Sequence, residues 1–335
     1  MVKVRHLPYQ AHCFAFGGFE IQMLSAMDSL RGLPIETSRM DVWSRDSDFD
    51  VLHCWGLGLP NLENACWAKR SGKMVVVTAL VSYLEKASQK GWFLAKYLTG
   101  EERLNMELAR LADAVVVLND MQAEVLNHYY RVKDDRIAVI PNIVQEKFFS
   151  GDEASFHAAH PIRDFVLCTG NVCRRKNQLN LAKACALAGL RLVLIGGILH
   201  GEEAYGTEVV ELFQARPEFL WIKELPKDSD LLASAYHACS LFALASHREQ
   251  QPISALEAAA AGKPLLLSNQ NWAKQAFYKN AVLVAPESVA GIAEGLRRIS
   301  NRPGSFAVPA EMVGKCREAA VGQAYFALYR SLAQK

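Results

Sequence analysis

Short apolar runs of strand length alternate with segments of helical length along almost the whole chain. "VKVRHL", "FDVLHCW", "KMVVVTAL", "DAVVVLN" and "DRIAVIPN" are rich in Val, Ile and other strand formers and read as strands. Between them "GGFEIQMLSAMDSLRG", "NLENACWAKRSG", "EERLNMELARLA" and "DMQAEVLNHYY" read as helices. The pattern lapses at residues 145–164, "QEKFFSGDEASFHAAHPIRD", whose mixed polarity reads as a linker. It then resumes with the strands "FVLCTG", "LRLVLIGG", "FLWIKEL", "CSLFALAS", "KPLLLS" and "NAVLVA", separated by helices such as "KNQLNLAKACALAG" and "ISALEAAAAG". The last stretch, "AEMVGKCREAAVGQAYFALYRSLAQK", reads as one long or broken helix with no strand of its own to cover.

Repeated strand–helix–strand units predict parallel sheets with helices on both faces. Two such blocks predict an α/β chain of two Rossmann-like domains facing a central cleft. The expected division is 1–152 and 153–317, with the final helix, about 318–335, packing back on the first domain. A chain of 335 residues suits two domains. Ligands of such sheets bind beyond the C-terminal ends of the strands.

Composition narrows the picture modestly. With 51% apolar and 21% charged residues the chain is globular, and a net charge of +2 gives no reason to expect nucleic acid. The longest apolar runs are strand-sized, far short of the ~20 residues that span a bilayer, and "MVKVRHLPYQ" does not read as a signal peptide. The eight cysteines are scattered without a CxxC pair and read as buried thiols of a cytoplasmic protein.

The densest chemistry lies in "HREQQPISALEAAAAGKPLLLS", residues 247–268, where Glu249 and Glu257 stand eight positions apart. Pro252 suits the start of the helix and Gly262 its end. Glu249 then precedes the helix and Glu257 lies in its second turn, so both can point to one side. The first turn, Ile253 and Ser254, offers free N–H groups and the positive end of the helix dipole. A carboxylate accepts hydrogen bonds from two vicinal hydroxyls, as on ribose. Alone, the spacing favours the plainer reading, in which Glu249 is a solvated loop charge and Glu257 one acid in an Ala-rich helix. "VCRRKNQ" adds three cations where a helix begins, an unfavourable place without an anion. "FAFGGFEIQ" has Gly17 and Gly18 at a strand–helix turn, without the GxGxxG spacing of a dinucleotide site; "LIGGILHG" is off that pattern too.

The Glu-x7-Glu segment, with its flanking strands, Leu-Glu-Ala and Gly-Lys-Pro, resembles the corresponding stretch of family-4 retaining glycosyltransferases, whose fold is called GT-B. "FVLCTGNVCRRKNQLNLAKA" resembles the family's diphosphate-binding loop, matching at Gly170 and Lys176. The likeness covers most of the chain and is strongest from residue 101 to 268. It implies that Glu257 holds the donor ribose, Glu249 faces the transferred sugar, and Lys176 with Arg174 or Arg175 neutralises the diphosphate. Gly17, Gly18, Gly170, Asn171, Ile253 and Ser254 complete the donor site. The implied reaction moves a sugar from a nucleotide diphosphate onto a glycan or lipid-linked glycan, retaining its configuration, with neither metal nor other cofactor. Polysaccharide or lipopolysaccharide synthesis in a bacterial cytoplasm, with peripheral membrane contact, is the implied setting; "KASQKGWFLAKYL" has the Lys and aromatic mixture for such contact, and reads at least as well as a packed helix or an acceptor-side loop.

The chain departs from the family in three places. Asn171 stands where an Arg is usual, Gln250-Gln251-Pro252 where an aromatic residue and a glycine are usual, and Leu80 where many members have a histidine. His12 and His53 lie at other strand ends, where a structural or surface role is the stronger reading and reaching the cleft the alternative. Two rival readings stay open: a glycoside hydrolase using Glu249 and Glu257, and a non-catalytic nucleotide- or glycan-binding protein. "DSDFD", residues 46–50, carries an Asp-x-Asp that reads as a turn in this place.

Overall fold

The structure, a computed structural model, describes residues 1–14, 17–84, 87–225 and 229–334. The chain forms two compact units, residues 1–143 with 316–335, and residues 144–315. Among the described residues each unit is built on one sheet of six strands, all pairs parallel. In the first unit the strands are β1 (Val2–Leu7), β2 (Ile35–Arg39), β3 (Val51–Trp55), β4 (Met74–Thr78), β5 (Ala114–Val117) and β6 (Ile137–Val139). Their order in the sheet is β2-β1-β3-β4-β5-β6. The second unit has β7 (Phe165–Thr169), β8 (Arg191–Ile195), β9 (Leu220–Ile222), β10 (Leu241–Leu244), β11 (Leu265–Ser268) and β12 (Val282–Val284), ordered β12-β11-β10-β7-β8-β9.

The interior strands explain the apolar runs. Every residue of β3, β5, β7, β10 and β11 is buried, because helices cover both faces and leave no side for alternation. β2 has no counterpart among the strands read from the sequence. It is an edge strand in which only Ile35 is buried, so "IETSR" carries little apolar signal.

Residues 145–164 are not a bare linker. Helical segments Lys147–Ser150 and Ala154–Ala159 bury Phe148 and Phe156 against the second unit. Each is too short to show a helical period, and only one phenylalanine of each is fully buried. The C-terminal stretch breaks at residues 315–317 into helices Ala310–Gly314 and Glu318–Ala333. The longer one returns to the first unit, where Val321, Tyr325, Tyr329 and Leu332 pack with Val4, Met23 and Ala26.

Its tyrosines close over an unusual polar core. His53 is fully buried, its Nδ1 2.7 Å from the Tyr329 hydroxyl and its Nε2 2.8 Å from Thr78 Oγ1. His6 beside it accepts the Trp55 indole N–H at 3.0 Å. Burial holds both imidazoles neutral, far below the usual histidine range. His53 is therefore a core histidine and is not available to a cleft. "DSDFD" is a turn: the Asp48 amide donates to Asp46 Oδ1 at 2.9 Å, Asp48 pairs with Lys3, and Asp50 accepts the Lys3 amide at 2.8 Å. All eight cysteines are free and six are buried. No helix among the described residues is long and apolar enough to cross a membrane.

Candidate active site

Strand order fixes where a ligand can sit. In the second sheet the chain runs outward from β7 through β8 to β9, then restarts on the other side of β7 with β10. The crevice beyond the C-terminal ends of β7 and β10 is the topological switch point, the usual ligand site of open parallel sheets. Both motifs singled out in the sequence lie there. Gly170 follows β7, and the loop to Lys176 follows it; Ser246 to Glu249 follows β10.

The two loops are tied together. The His247 amide donates to the Arg175 carbonyl at 2.8 Å. Asn177, in the left-handed region at φ +60°, sends its side-chain N–H groups to the carbonyls of Ala245 at 3.1 Å and Pro286 at 2.7 Å. Gly196 lets β8 approach: a Cβ there would meet the Gly170 carbonyl oxygen at 2.4 Å. This is the role of the glycines in "LIGGILHG", which match no nucleotide fingerprint.

On this frame three charges converge. Glu249 Oε1 lies 3.0 Å from Lys176 Nζ and 3.0 Å from an Arg175 guanidinium nitrogen, and accepts the Ser246 hydroxyl at 3.0 Å. The Glu249 and Lys176 side chains are only 11% and 13% exposed, which strengthens each interaction relative to one in open water. Arg175 also donates to the Arg248 carbonyl at 2.6 Å. Two cations on one carboxylate leave a net positive charge at the mouth of the switch point. The Lys176 side chain lies over Gly170, whose φ of +121° and missing side chain leave it room.

Arg174 turns the other way. Its guanidinium lies 3.0 Å from Glu208 and stacks 5.4 Å from the Tyr205 ring centroid, 65% exposed. Asn171 is exposed at the loop's start, with its carbonyl bound to the Gln178 side chain at 2.9 Å.

The helix behind the loop runs Ile253–Ala260, with Pro252 at its N-cap. Proline's fixed φ suits that place, and the Ile253 and Ser254 amides are left at the open first turn. Glu257 lies one turn further on. Burial pushes its carboxyl up to about 7, opposed by a hydrogen bond from Tyr236 and by the charge of Lys147. The Tyr236 hydroxyl is itself 2.6 Å from Thr169 Oγ1, so the end of β7 buttresses the carboxyl.

Gly17 and Gly18 belong to the first unit, at the start of the helix Gly18–Asp28. The Gly17 amide donates to Glu20 at 2.8 Å, so the helix caps part of its own terminus. Leu80 lies two residues beyond β4 and is partly exposed. Sequence reasoning missed Ser246, Asn177, Tyr236 and Thr169. Ser246 and Thr169 sit within runs read as strand, and Tyr236 lies 21 positions before Glu257, on another helix. Among the described residues no group of three or more His, Cys, Asp or Glu could hold a metal ion.

Residues 152–320 match the model for glycosyl transferases group 1, and residues 17–148 match that for glycosyltransferase family 4. The chain belongs to the group 1 glycosyl transferases. Among curated proteins it is 28% identical over 220 residues to the D-inositol 3-phosphate glycosyltransferase of Saccharomonospora viridis, covering 61% of this chain and 50% of that one. The protein of that name from Nocardiopsis dassonvillei is 27% identical over 183 residues, covering 50% of this chain and 42% of that one. The chain thus spans about half the length of these relatives. Among solved structures, the Anabaena protein HepE in complex with UDP superposes with a TM-score of 0.76 at 14% identity, over 99% of this chain and 100% of that one. Sucrose-phosphate synthase from Thermosynechococcus elongatus does so with a TM-score of 0.72 at 15% identity, over 99% of both chains. At such identities the likeness speaks for the fold, which is GT-B. In this group 1 glycosyl transferase Lys176 and Arg175 converge on Glu249.

Proposed function

We propose that the chain is a retaining, metal-independent glycosyltransferase that uses a UDP-linked hexose as donor. The observation that carries this reading is the paired approach of Lys176 and Arg175 to Glu249 at the second sheet's switch point. The sugar C1–O bond breaks, and its electrons pass to the diphosphate. Lys176 and Arg175 are fixed where that negative charge grows and stabilise it without reorganisation. They take the part a divalent cation plays elsewhere. The acceptor oxygen bonds to C1 on the face the diphosphate leaves, and its proton passes to the departing phosphate. Glu249, held by Ser246 and the two cations, faces the transferred sugar. Glu257 accepts the ribose hydroxyls, and the Ile253 and Ser254 amides face the phosphates.

UDP is favoured as the donor nucleotide because HepE, alike in fold over the whole chain, is described in complex with UDP and with UDP-glucose. The hydrolase alternative is disfavoured by the cations on Glu249, since two ion pairs on one oxygen blunt it as a nucleophile. The acceptor is a glycan or lipid-linked glycan.

The test is thermal shift with UDP, GDP, ADP and their sugar conjugates, with and without EDTA, on the wild type and Glu257→Ala. One nucleotide should raise the melting temperature, EDTA should leave the rise unchanged, and Glu257→Ala should remove it. NMR of the product should then show the donor's anomeric configuration. No shift with any nucleotide, or a shift lost in EDTA, would overturn the reading.

A further inference from the structure

The first sheet has a switch point of its own, between β1 and β3, where the chain restarts after β2. A pocket of about 260 Å³ opens there, and the described residues that line it all belong to the first unit. Tyr9 reaches it from the end of β1 and Leu80 from the end of β4, with Trp92 from helix Ala87–Leu98 and Glu102 from helix Glu101–Leu111. At about 30 Å³ per water it has room for about nine waters. That suits one sugar ring and neither a lipid tail nor two rings.

Two features make it a built site. The Tyr9 ring rests on bare backbone: a Cβ on Gly56 would lie 2.9 Å from Tyr9 Cδ2, and one on Gly58 2.6 Å from Cε2. Both glycines have positive φ, +96° and +153°. The second feature is Glu102, only 5% exposed. Its Oε2 accepts the Tyr130 hydroxyl at 2.7 Å and the Asn105 amide at 3.3 Å, and no described residue donates to Oε1. Glu102 Oε1 is not among the sealed polar atoms that lack a partner, so water reaches it, and a ligand hydroxyl offered from the pocket can take the place of that water.

Charge decides what else fits. Among the described residues Glu101 and Glu102 face the pocket with one cation, Lys96, which pairs with Glu101 and lies 4.1 Å from the Trp92 ring centroid. A phosphate would meet a net negative wall, whereas a neutral ring can lay its C–H face on an aromatic side chain.

We propose that this pocket receives one neutral sugar ring of the acceptor against Tyr9 and Trp92, takes one of its hydroxyls on Glu102 Oε1, and rejects phosphorylated acceptors. The inference deepens the transferase reading and rests on it. It separates the chain from relatives named for D-inositol 3-phosphate.

Saturation-transfer NMR measures this without turnover, using methyl glucoside, galactoside and mannoside against hexose 6-phosphates and inositol phosphate. At least one methyl hexoside should bind the wild type and the phosphates should not. The signal should vanish in Trp92→Ala and fall at least fivefold in Glu102→Gln, with the nucleotide thermal shift kept in both. Trp92 is 47% exposed, so its substitution tests the pocket even if the Glu102 variant folds poorly. Binding of phosphates as tight as that of the hexosides, binding of no hexoside, or binding that survives both substitutions would overturn the proposal. Failure of the transferase reading looks different: hexoside binding persists while nucleotide shift and turnover are absent.

Discussion

The two switch points of this chain are built from the same topology and opposite chemistry. Beyond β7 and β10 the wall is charged, with Arg175 and Lys176 converging on Glu249. Beyond β1 and β3 it is aromatic, with Tyr9 and Trp92 around a buried carboxylate, Glu102. A parallel sheet supplies only the crevice; the loops after each strand decide what it can hold. One crevice suits a leaving group that gains negative charge, the other a neutral ring that gains none.

The sharpest way to break that contrast is to remove charge from the first-named crevice. Lys176→Ala should lower the transfer rate about 10²–10³-fold, the range seen when one preorganised donor to a developing anion is lost. Nucleoside diphosphate release measures it. Circular dichroism should show the fold intact, since Arg175 and Ser246 still hold Glu249. A fall below threefold would mean that the two cations do not face the leaving group.

Glu257 comes next, through pH. Its carboxyl titrates at about 7 when folded against 4.5 ordinarily, because burial disfavours the charge. The folded chain therefore binds the proton more tightly than the unfolded one. Stability from this group is fully present below 4.5 and is lost as pH rises to about 7, by roughly 1–3 kcal/mol. Glu257→Gln should flatten the melting temperature across that window. Donor affinity should run the other way in the wild type, rising about threefold to tenfold from pH 6 to 8 as the carboxylate forms to accept ribose hydroxyls. In Glu257→Gln it should be lower and flat. A wild-type affinity that falls over this range would remove Glu257 from the ribose.

These two residues also mark how far the sequence carries. The buried strands and the Glu-x7-Glu and Gly170–Lys176 motifs were legible because each is a local pattern with fixed spacing. Three things were not. β2 lies at an edge where burial demands one apolar residue, so no alternation marks it. Arg174 and Arg175 are adjacent and chemically equal, and only the turn that follows sends one to Glu249 and the other to Glu208. The aromatic crevice draws on residues from 9 to 130 with no shared spacing, because its members meet only through the sheet.

That crevice can be disturbed without touching its charge. Gly56→Ala puts a methyl 2.9 Å from the Tyr9 ring at a φ of +96°, so the ring must shift and the backbone strains. A loss of about 1–3 kcal/mol in stability is expected, with acceptor KM raised about fivefold and the nucleotide thermal shift unchanged. An unchanged KM would mean that Tyr9 does not position the acceptor.

The smallest effect should come from Arg174, two positions from the residue with the largest. Arg174→Ala removes an exposed pair with Glu208 and a stack on Tyr205. Exposed ion pairs contribute about 0–1 kcal/mol, so the melting temperature should drop by no more than about 2 °C and the transfer rate by less than twofold. Arg175→Ala, one position on, should cost at least tenfold, since its guanidinium holds Glu249 and the Arg248 carbonyl. The ratio between these neighbours tests the geometry of the loop. If the two substitutions cost the same, the cations act as a diffuse basic patch, and the charged crevice is no more specific than a basic helix start.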